Sequence, residues 1–438
     1  MAGVDVAVIG GGVKGAADFY ALTYTNVGSV VLIEKYGAPG LVNSNMMNNS
    51  QTLHIGDIET NFSLAKALAV RHLAEHTKAY LDRFDDSGAL HSVYHKMVLG
   101  VGRKEMGVLK ARFEQFRQHY PHLQYLGFEA IAELEPKVTE GRESRGISAI
   151  FSPRGYAVDY GRLAKSFVDR AVESREGFSA RFGTEVATIR REGLEFVVET
   201  AKGDVRAKAV IVSAGAQSLL FAKRLGYARN LALLPVAGSF YHARDKLLNG
   251  KVYTVQDNDV PLAAIHGDPE AHDASVTRFG PTAKVVPLME RHNYETLDDF
   301  VRTGSLGKAS LLTFWEVVAS PPALRAFMLK NMVYELPVVG KMAFAETVRK
   351  IVPTVASKDL VFARNVGGLR PQVMDKVKQE LQMGQVKILG ENVIFNMTPS
   401  PGASVCLGDG FADARTVVGF LGPSFSFDER KYSADFRE

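Results

Sequence analysis

The chain has 438 residues, of which 46% are hydrophobic and 23% charged, and its formal net charge at pH 7 is +4. This composition is typical of a globular protein and excludes a disordered one, and the length predicts two domains rather than one core. Because acidic residues nearly balance basic ones and no basic stripe contains aromatic residues, we expect no nucleic-acid partner, although the small positive charge suits an anionic substrate or a membrane surface.

The first predicted unit begins with the stretch VAVIGGGVKGAADFYALT. Val6 to Ile9 predict a short buried strand, because β-branched residues suit a covered, pleated surface. Gly10, Gly12 and Gly15 follow with the G-x-G-x-x-G spacing: the first permits a tight turn, the second lets backbone approach a pyrophosphate, and the third lets the helix pack close to the strand. The helix would direct free N–H groups and its positive dipole end at the phosphates.

A second predicted strand, Ser29 to Ile33, is followed by Glu34. This acid has about the spacing expected of the carboxylate that holds a ribose hydroxyl. A glycine turn without a ligand is the alternative. Strand, glycines, helix, strand and acid in this order favour a nucleotide-binding unit.

The rest of the chain predicts a sheet domain interrupted by another kind of structure. In chain order the predicted elements are a polar loop at 37–57, helices at 63–84 and 104–119, a hairpin at 187–209, a buried strand at 209–212 that ends at Gly215, antiparallel strand-like pieces at 235–287, helices at 295–350, a strand at 391–397 followed by an SPGAS loop, and a helix at 410–420.

Several distant stretches resemble one flavoprotein family, and together they span most of the chain. They are VAVIGGGVKG with IEKYGAPG, NNSQTLHIGDIETNFS, GYAVDYGRLAKSF, VIVSAGAQS, IHGDPEAHDASVTRFGP and TPSPGASVCLGDG. The family includes D-amino-acid oxidase, L-2-hydroxyglutarate dehydrogenase and malate:quinone oxidoreductase. The first and fourth stretches occur across flavin-dependent oxidoreductases, whereas the SPGAS loop and the NN-x-x-T-x-H stretch are most similar to the malate:quinone oxidoreductase branch.

The resemblance implies an α/β fold made of two domains. One is a Rossmann-like FAD-binding domain built from discontinuous segments, residues 1–95, 146–234 and 360–438. The other is an α+β substrate-binding domain with a mostly antiparallel sheet, residues 96–145 and 235–359.

The resemblance also implies FAD as the cofactor. Backbone amides beside the N1–O2 edge of the isoalloxazine would stabilise the negative charge of reduced flavin. Without the resemblance, residues 214–215 are a strand-ending turn and residues 402–404 an ordinary Pro-Gly turn. The implied contacts are the pyrophosphate at Gly10, Gly12 and Gly15, the ribose at Glu34, the adenine end at Val186, Ala214 and Gly215, and the isoalloxazine at Gly402, Ala403 and Ser404.

The implied chemistry is oxidation of a C–H bond beside a hydroxyl or amine, in which a base takes the proton. Histidine suits this role because its ordinary pKa of about 6.5 lies near working pH. His266 ends the apolar run PLAAIH, where related enzymes have a histidine that faces the flavin, and His54 lies in the segment that resembles the family's active-site stretch. A base or substrate-orienting role is one interpretation of each histidine, and a structural histidine is the other.

A carboxylate substrate needs a cation, and arginine can hold a carboxylate with two hydrogen bonds. Arg278 should lie one strand after His266 on the same sheet, and Arg370 follows two glycines in a stretch that resembles the G-x-R-P segment near the flavin of amino-acid oxidases. The alternative for both arginines is a solvated surface charge. Gln51 and Thr52 are neutral candidates for a second carboxylate or for the substrate hydroxyl.

Four aspartates lie among glycine and proline and predict turns rather than a metal site, since no His/Asp spacing there matches a set of metal ligands. They are Asp257, Asp259, Asp268 and Asp273. We therefore expect no metal ion.

The predicted function is that of an FAD-dependent dehydrogenase of a small 2-hydroxy acid, (S)-malate above all, which passes electrons to a quinone. One alternative is an L-2-hydroxyglutarate or amino-acid oxidase or dehydrogenase of the same family. Another is a flavin-binding protein without catalytic activity. Convergent polar residues in the second domain favour an enzyme.

Cysteine content and hydropathy predict the compartment. The single cysteine, Cys406, excludes an internal disulfide framework and fits a reducing compartment. No apolar run approaches the length of a membrane-spanning helix, and residues 1–10 predict a strand rather than a signal peptide. We expect a cytoplasmic protein with peripheral contact at the inner face of the membrane.

Overall fold

The computed structural model describes residues 3–256, 265–382 and 384–436. Within these residues the strands are β1 (Val4–Ile9), β2 (Val30–Ile33), β3 (His91–Val101), β4 (Gln124–Leu126), β5 (Ile147–Val158), β6 (Phe178–Arg181), β7 (Val186–Glu192), β8 (Glu195–Thr200), β9 (Val205–Val212), β10 (Leu231–Ala237), β11 (Tyr241–Ala243), β12 (Lys251–Thr254), β13 (His266–Pro269), β14 (Thr277–Gly280), β15 (Lys284–Val285), β16 (Leu360–Phe362), β17 (Leu369–Asp375), β18 (Glu380–Gln382), β19 (Val386–Gly390) and β20 (Val393–Met397).

The helices of the described residues are α1 (Val13–Ala21), α2 (Leu64–Phe84), α3 (Gly102–Phe116), α4 (Phe128–Leu134), α5 (Pro136–Thr139), α6 (Tyr160–Ser174), α7 (Gln217–Arg224), α8 (Leu297–Arg302), α9 (Lys308–Phe314), α10 (Pro322–Val333), α11 (Val339–Val348), α12 (Cys406–Leu421) and α13 (Glu429–Phe436). A short π-helix, Trp315–Ala319, follows α9 directly. In the described part of the chain, no helix is both long enough and apolar enough to cross a membrane.

The first sheet is a Rossmann-like sheet with the strand order β19-β20-β9-β1-β2-β6, and the β7–β8 hairpin extends from β9. Strand β1 lies between two parallel neighbours, with Val8 opposite Leu32 on one side and Ile211 on the other. Helices α1, α6 and α12 pack together on one face of this sheet. The small residues of α1 allow this packing, and every residue of that helix is buried.

The second sheet is mostly antiparallel, with the order β16-β11-β14-β13-β12-β3-β5-β4 and one parallel pair, β3 with β12. A third, antiparallel sheet has the order β15-β10-β17-β18. The apolar residues of α9, the π-helix and α10 that face inward pack on the third sheet, in a cluster that contains Leu234, Val318 and Leu324.

The predicted fold class is confirmed, since an α/β sheet domain is joined to antiparallel sheets. Most elements that were predicted lie near observed ones, although α12 begins four residues before the predicted helix at 410–420, and β3, β5 and α6 were not predicted. The domain boundaries stay a prediction. Strand β5 and residues 91–95 of β3 were assigned to the FAD-binding domain, but both strands pair within the second sheet.

Candidate active site

The glycine turn after β1 combines a strained backbone, close packing and open space. Gly10 has φ +102°, and a Cβ there would lie 2.5 Å from the carbonyl oxygen of Ser213. A Cβ on Gly15 would overlap the carbonyl oxygen of Gly10, so α1 packs directly on the turn. A Cβ on Gly12 would meet only Ser44 Oγ, at 3.6 Å, which leaves room beside Gly12 for a ligand.

A cavity of about 510 Å³ opens beside this turn, between the first and third sheets and the loop after β2. The predicted site residues that line it are Gly10, Gly12, Glu34, Thr52, His54, Val186, Ala214, Gly215, Arg370, Ala403 and Ser404. Those that the described lining lacks are Gly15, Gln51, His266, Arg278 and Gly402.

Glu34 lies at the end of β2 with both carboxylate oxygens accepting backbone hydrogen bonds. Oε2 accepts from the amide of Gly11 at 2.5 Å, and Oε1 accepts from the amide of Tyr36 at 2.9 Å. Burial raises the pKa of Glu34, and the two amides oppose this effect. These two hydrogen bonds fix the carboxylate at the cavity wall. Its remaining lone pairs can accept a hydrogen bond from a hydroxyl group of a ligand.

The loop between β20 and α12 was predicted to offer three amides to the flavin. The amides of Gly402 and Ser404 instead donate to the carbonyls of Pro399 and Pro401, both at 2.8 Å. The amide of Ala403 has no acceptor among the described residues, and Ala403 lines the cavity. Of the three amides, the one on Ala403 can donate to a ligand, next to the positive end of the α12 dipole.

His54 lies on the cavity wall in a fixed orientation. Its backbone amide donates to Ser404 Oγ at 2.9 Å, and its Nδ1 lies 2.6 Å from Glu59 Oε1. Burial alone would raise the pKa of the Glu59 carboxyl, but hydrogen bonding to His54 and its charge lower that pKa. Because Glu59 occupies Nδ1, Nε2 is the ring nitrogen of His54 that can accept a proton from a ligand.

His266, the first residue of β13, is buried behind the cavity wall. Its ring lies against that of Tyr253, with 4.7 Å between centroids, and the Tyr253 hydroxyl is 2.8 Å from Thr52 Oγ1. Its Nε2 is 3.9 Å from Asp268 Oδ1. His266 therefore connects to the cavity through Tyr253 and Thr52, and its assignment as the base stays a prediction.

Arg278 lies in β14, one strand after His266, as predicted. It is fully buried rather than solvated, and it donates to Asp268 at 2.9 Å. Lys251 Nζ also lies 3.0 Å from Asp268. Burial alone would raise the pKa of Asp268, but Arg278 and Lys251 outweigh it and hold this pKa well below its usual range. Two cations and one anion give this cluster an excess positive charge.

Lys251 is the cation of this cluster that contacts residues of the cavity wall. Its Nζ lies 3.3 Å from Thr52 Oγ1 and 3.3 Å from the carbonyl oxygen of Ser50, and both residues line the cavity. Burial lowers the pKa of Lys251, and Asp268 opposes this effect. An anionic group next to Thr52 would offset the unbalanced charge.

Gln51 lies in the same loop but directs its side chain away from the cavity. Its backbone has φ +55°, its Oε1 accepts from the amide of Ala271 at 3.0 Å, and its Nε2 donates to the carbonyl of Met46 at 3.1 Å. The side chain of Gln51 thus holds the loop that presents Thr52.

Arg370 lies in β17 on the cavity wall. Burial lowers the pKa of its guanidinium, which stays protonated at neutral pH. The two glycines before it allow close backbone packing: a Cβ on Gly367 would overlap the carbonyl oxygen of Gly238, and one on Gly368 that of Asn48. This packing brings β17 against the loop that leads to Thr52.

Glu59 and Lys251 were missed by the sequence analysis, and Asp268 was wrongly assigned to a turn. Asp268 is buried in β13 and paired with two cations. Its position two residues after His266 places both side chains on one face of a strand, a signal the sequence contained. Asp273 does form a turn, with its carboxylate accepting from the amide of Ser275 at 3.0 Å.

Asp257 and Asp259 lie outside the described residues. Among residues 3–256, 265–382 and 384–436, no group of three or more His, Cys, Asp or Glu side chains could hold a metal ion.

The cavity fits FAD by its own chemistry. The open side of Gly12 and the N-terminus of α1 suit a pyrophosphate, Glu34 suits a ribose, and the Ala403 amide suits the negative edge of a reduced flavin. These features are those of an FAD-binding protein. A family model described as FAD dependent oxidoreductase matches residues 5–410, and the chain belongs to this family of FAD-dependent enzymes.

Within the family, the chain is similar to malate:quinone oxidoreductases over almost its whole length. It is 38% identical to a probable malate:quinone oxidoreductase of Campylobacter jejuni subsp. jejuni serotype O:2, covering 98% of each chain. It is 36% identical to the malate:quinone oxidoreductase of Helicobacter pylori strain ATCC 700392 / 26695, covering 97% of this chain and 96% of the relative.

Solved structures show the same fold. Glycine oxidase from Geobacillus kaustophilus superimposes with a TM-score of 0.65 at 18% identity, over 94% of each chain. The L-alpha-glycerophosphate oxidase from Mycoplasma pneumoniae, solved with FAD bound, also gives a TM-score of 0.65 at 18% identity, over 98% of this chain and 97% of that one.

Proposed function

We propose that the protein oxidises (S)-malate to oxaloacetate with FAD as cofactor and a quinone as electron acceptor. One observation of the site carries the proposal: a histidine oriented by a carboxylate and an arginine lie on the cavity that begins at the glycine turn. The identities of 36% and 38% to malate:quinone oxidoreductases, over nearly the whole chain, support malate and a quinone as the substrates.

His54 takes the hydroxyl proton of malate at Nε2. Bound FAD supplies the hydride acceptor. As the hydride leaves C2, positive charge would build on that carbon unless the hydroxyl proton departs, so a neutral imidazole within reach lowers the barrier. Glu59 holds Nδ1 and stabilises the imidazolium that forms, in the way that a carboxylate orients the histidine of a catalytic triad.

The two carboxylates of malate need separate partners. Arg370 can hold one of them with two parallel hydrogen bonds. The Thr52 hydroxyl, with Lys251 3.3 Å behind it, offers the second carboxylate or the substrate hydroxyl a favourable position. Arg278 does not contact the substrate. It acts through its ion pair with Asp268, which also pairs with Lys251 behind Thr52.

The Ala403 amide and the N-terminus of α12 would stabilise negative charge on a bound reduced flavin, since both direct positive partial charge at the cavity. A quinone dissolved in the membrane then requires the protein to contact a bilayer from outside, so a peripheral membrane contact belongs to the same proposal.

An anaerobic flavin-bleaching screen tests the substrate. The holoenzyme is mixed without oxygen with L-malate, D-malate, L-lactate, L-2-hydroxyglutarate or an amino acid, and flavin absorbance is followed. We expect fast bleaching by L-malate and slow or no bleaching by the others. Faster bleaching by L-2-hydroxyglutarate or an amino acid would reassign the substrate, and no bleaching by any of them would indicate a flavin-binding protein without this activity.

A further inference from the structure

Exposed apolar side chains are concentrated in one segment. Thirteen of the 21 large hydrophobic side chains that are exposed among the described residues lie between residues 294 and 342, a span of about a ninth of the chain. Single exposed apolar residues are common on protein surfaces, but a contiguous set marks an interaction site. We name the following set the apolar surface: Leu311, Trp315, Leu329, Met332, Val338 and Met342.

Helix geometry makes this set coherent. Leu329 and Met332 are three residues apart in α10 and share one face, while Leu324 on another face is buried. Leu311 and Trp315 are four residues apart where α9 continues into the π-helix, so these two side chains also lie on one face. The outer face of α10 thus carries exposed apolar side chains beside its charged ones, whereas the outer face of a helix that contacts only water is typically polar.

The helices that carry the apolar surface are neighbours. The π-helix packs against α9 and α10, and α10 packs against α11. Trp315 is 58% exposed and Val338 is 74% exposed, so the surface has large side chains that water reaches. Trp, like Tyr, is enriched at the membrane–water interface, where its ring lies at the level of the lipid headgroups.

The charges at residues 308–342, on the helices that carry the apolar surface, select the partner. Lys308, Arg325 and Lys330 are exposed, and no carboxylate lies within ion-pair distance of them among the described residues. Of the acids at 308–342, Glu335 is already paired with Lys284 at 2.8 Å, and Glu316 remains. A second copy of the chain would bring these cations against each other, whereas anionic lipid headgroups complement them.

The apolar surface lies one layer from the cavity. In β17, Arg370 and Met374 are four residues apart and so lie on the same face of the strand. Arg370 lines the cavity, and Met374 packs in the cluster that includes Phe314 and Leu324 beneath the surface. The separation along the strand is about 13 Å.

We propose that the apolar surface on α9, the π-helix, α10 and α11 docks the protein on a bilayer that contains anionic lipid. Its apolar side chains enter the headgroup region, and the lysines and arginine beside them contact the lipid phosphates. The inference rests on the proposed function in one respect: a membrane-dissolved quinone is the acceptor that gives this docking its use.

Vesicle sedimentation with the holoenzyme tests the proposal. The probes are vesicles of phosphatidylcholine alone and vesicles with added phosphatidylglycerol. The variant Trp315→Ser/Met332→Ser removes two exposed side chains of the surface. Its matched control, Leu194→Ser/Val377→Ser, removes two side chains that are each 79% exposed elsewhere. Because all four residues are exposed, both variants should fold.

We expect the parent and the control to bind phosphatidylglycerol vesicles in a salt-sensitive manner, and the surface variant to bind at least about tenfold more weakly. Equal binding by the surface variant, or no vesicle binding by the parent, would overturn the proposal. So would a parent dimer that the surface variant converts to a monomer, since the surface would then join two copies. Malate-dependent reduction of a water-soluble dye, measured without vesicles, tests the enzyme activity separately and should be equal in all three proteins.

Discussion

Replacing Glu59 by glutamine keeps a hydrogen-bonding group next to His54 but removes the negative charge. The Nδ1–Oε1 distance of 2.6 Å places the two charge centres ~4 Å apart when His54 is protonated, and at an effective dielectric constant of about 20 the attraction is ~4 kcal/mol. One decade in rate corresponds to about 1.4 kcal/mol, so this attraction sets an upper limit of about 10³-fold. We expect Glu59→Gln to slow proton removal by about 10- to 10³-fold, and His54→Ala by about 10²- to 10⁴-fold.

The assay is flavin reduction by L-malate in a single anaerobic turnover, with flavin occupancy measured first. Both variants should retain FAD, because neither residue is assigned to cofactor binding. His266→Ala is the comparison, since His266 lies behind Tyr253 and should affect the rate less than His54. Parental rates in Glu59→Gln and His54→Ala would refute the role of this pair, and a larger loss in His266→Ala would return the base to His266.

Three other predictions concern the cofactor, the substrate and the protein's stability. Gly12→Val should give a folded protein largely without FAD, because the new side chain fills the open space beside the turn, whereas Gly37→Val in the neighbouring loop should keep full occupancy by absorbance. Arg278→Lys and Arg370→Lys retain the charge but lose the planar fork, so at least one should raise the KM for malate about tenfold, and a parental KM in both would place the carboxylate site elsewhere. Burial raises the pKa of Asp18 to about 7; the charge of Lys14 opposes this effect, and repulsion from Asp413 adds to it. Between about pH 4 and 7 the Asp18 carboxyl is therefore protonated in the folded protein and ionised in the unfolded chain. Stability should therefore fall between about pH 4 and 7 relative to an Asp18→Asn variant, by at most about 1.4 kcal/mol per pH unit, and urea titrations that show a constant difference over this range would contradict it.

The nucleotide-binding unit could be predicted from the sequence because its determinants are local. The spacing of Gly10, Gly12 and Gly15 fixes a turn and a close helix contact within six residues, and the flanking strands are marked by β-branched runs. The α/β fold class and FAD followed from this unit and from the family resemblance, and both are confirmed.

The catalytic side of the cavity was harder to predict because its contacts join residues that no spacing rule connects. The pairing of His54 with Glu59 depends on how one irregular loop turns, and the contact of Lys251 with Thr52 joins strand β12 to the same loop across 199 residues of sequence. The burial of Arg278 also depends on distant residues. Its sequence neighbours suit a surface arginine, and it is the pairing of β14 with β13 that places it opposite Asp268.

The SPGAS loop shows that the hydrogen bonds of individual backbone amides do not follow from the sequence. The family resemblance implied a close approach of its backbone to the flavin, yet the amides of Gly402 and Ser404 donate hydrogen bonds within the turn. Only the three-dimensional path of the turn distinguishes the amide of Ala403 from its neighbours.

A double-mixing experiment measures both malate oxidation and quinone reduction by the same protein. The holoenzyme is reduced by one equivalent of L-malate without oxygen and is then mixed with either a soluble quinone analogue or air-saturated buffer, while flavin absorbance is followed. We expect complete bleaching by L-malate, and reoxidation by the quinone that is much faster than reoxidation by oxygen. Failure of L-malate to bleach the flavin, or rapid reoxidation by oxygen with hydrogen peroxide formed and no response to the quinone, would contradict the proposed function.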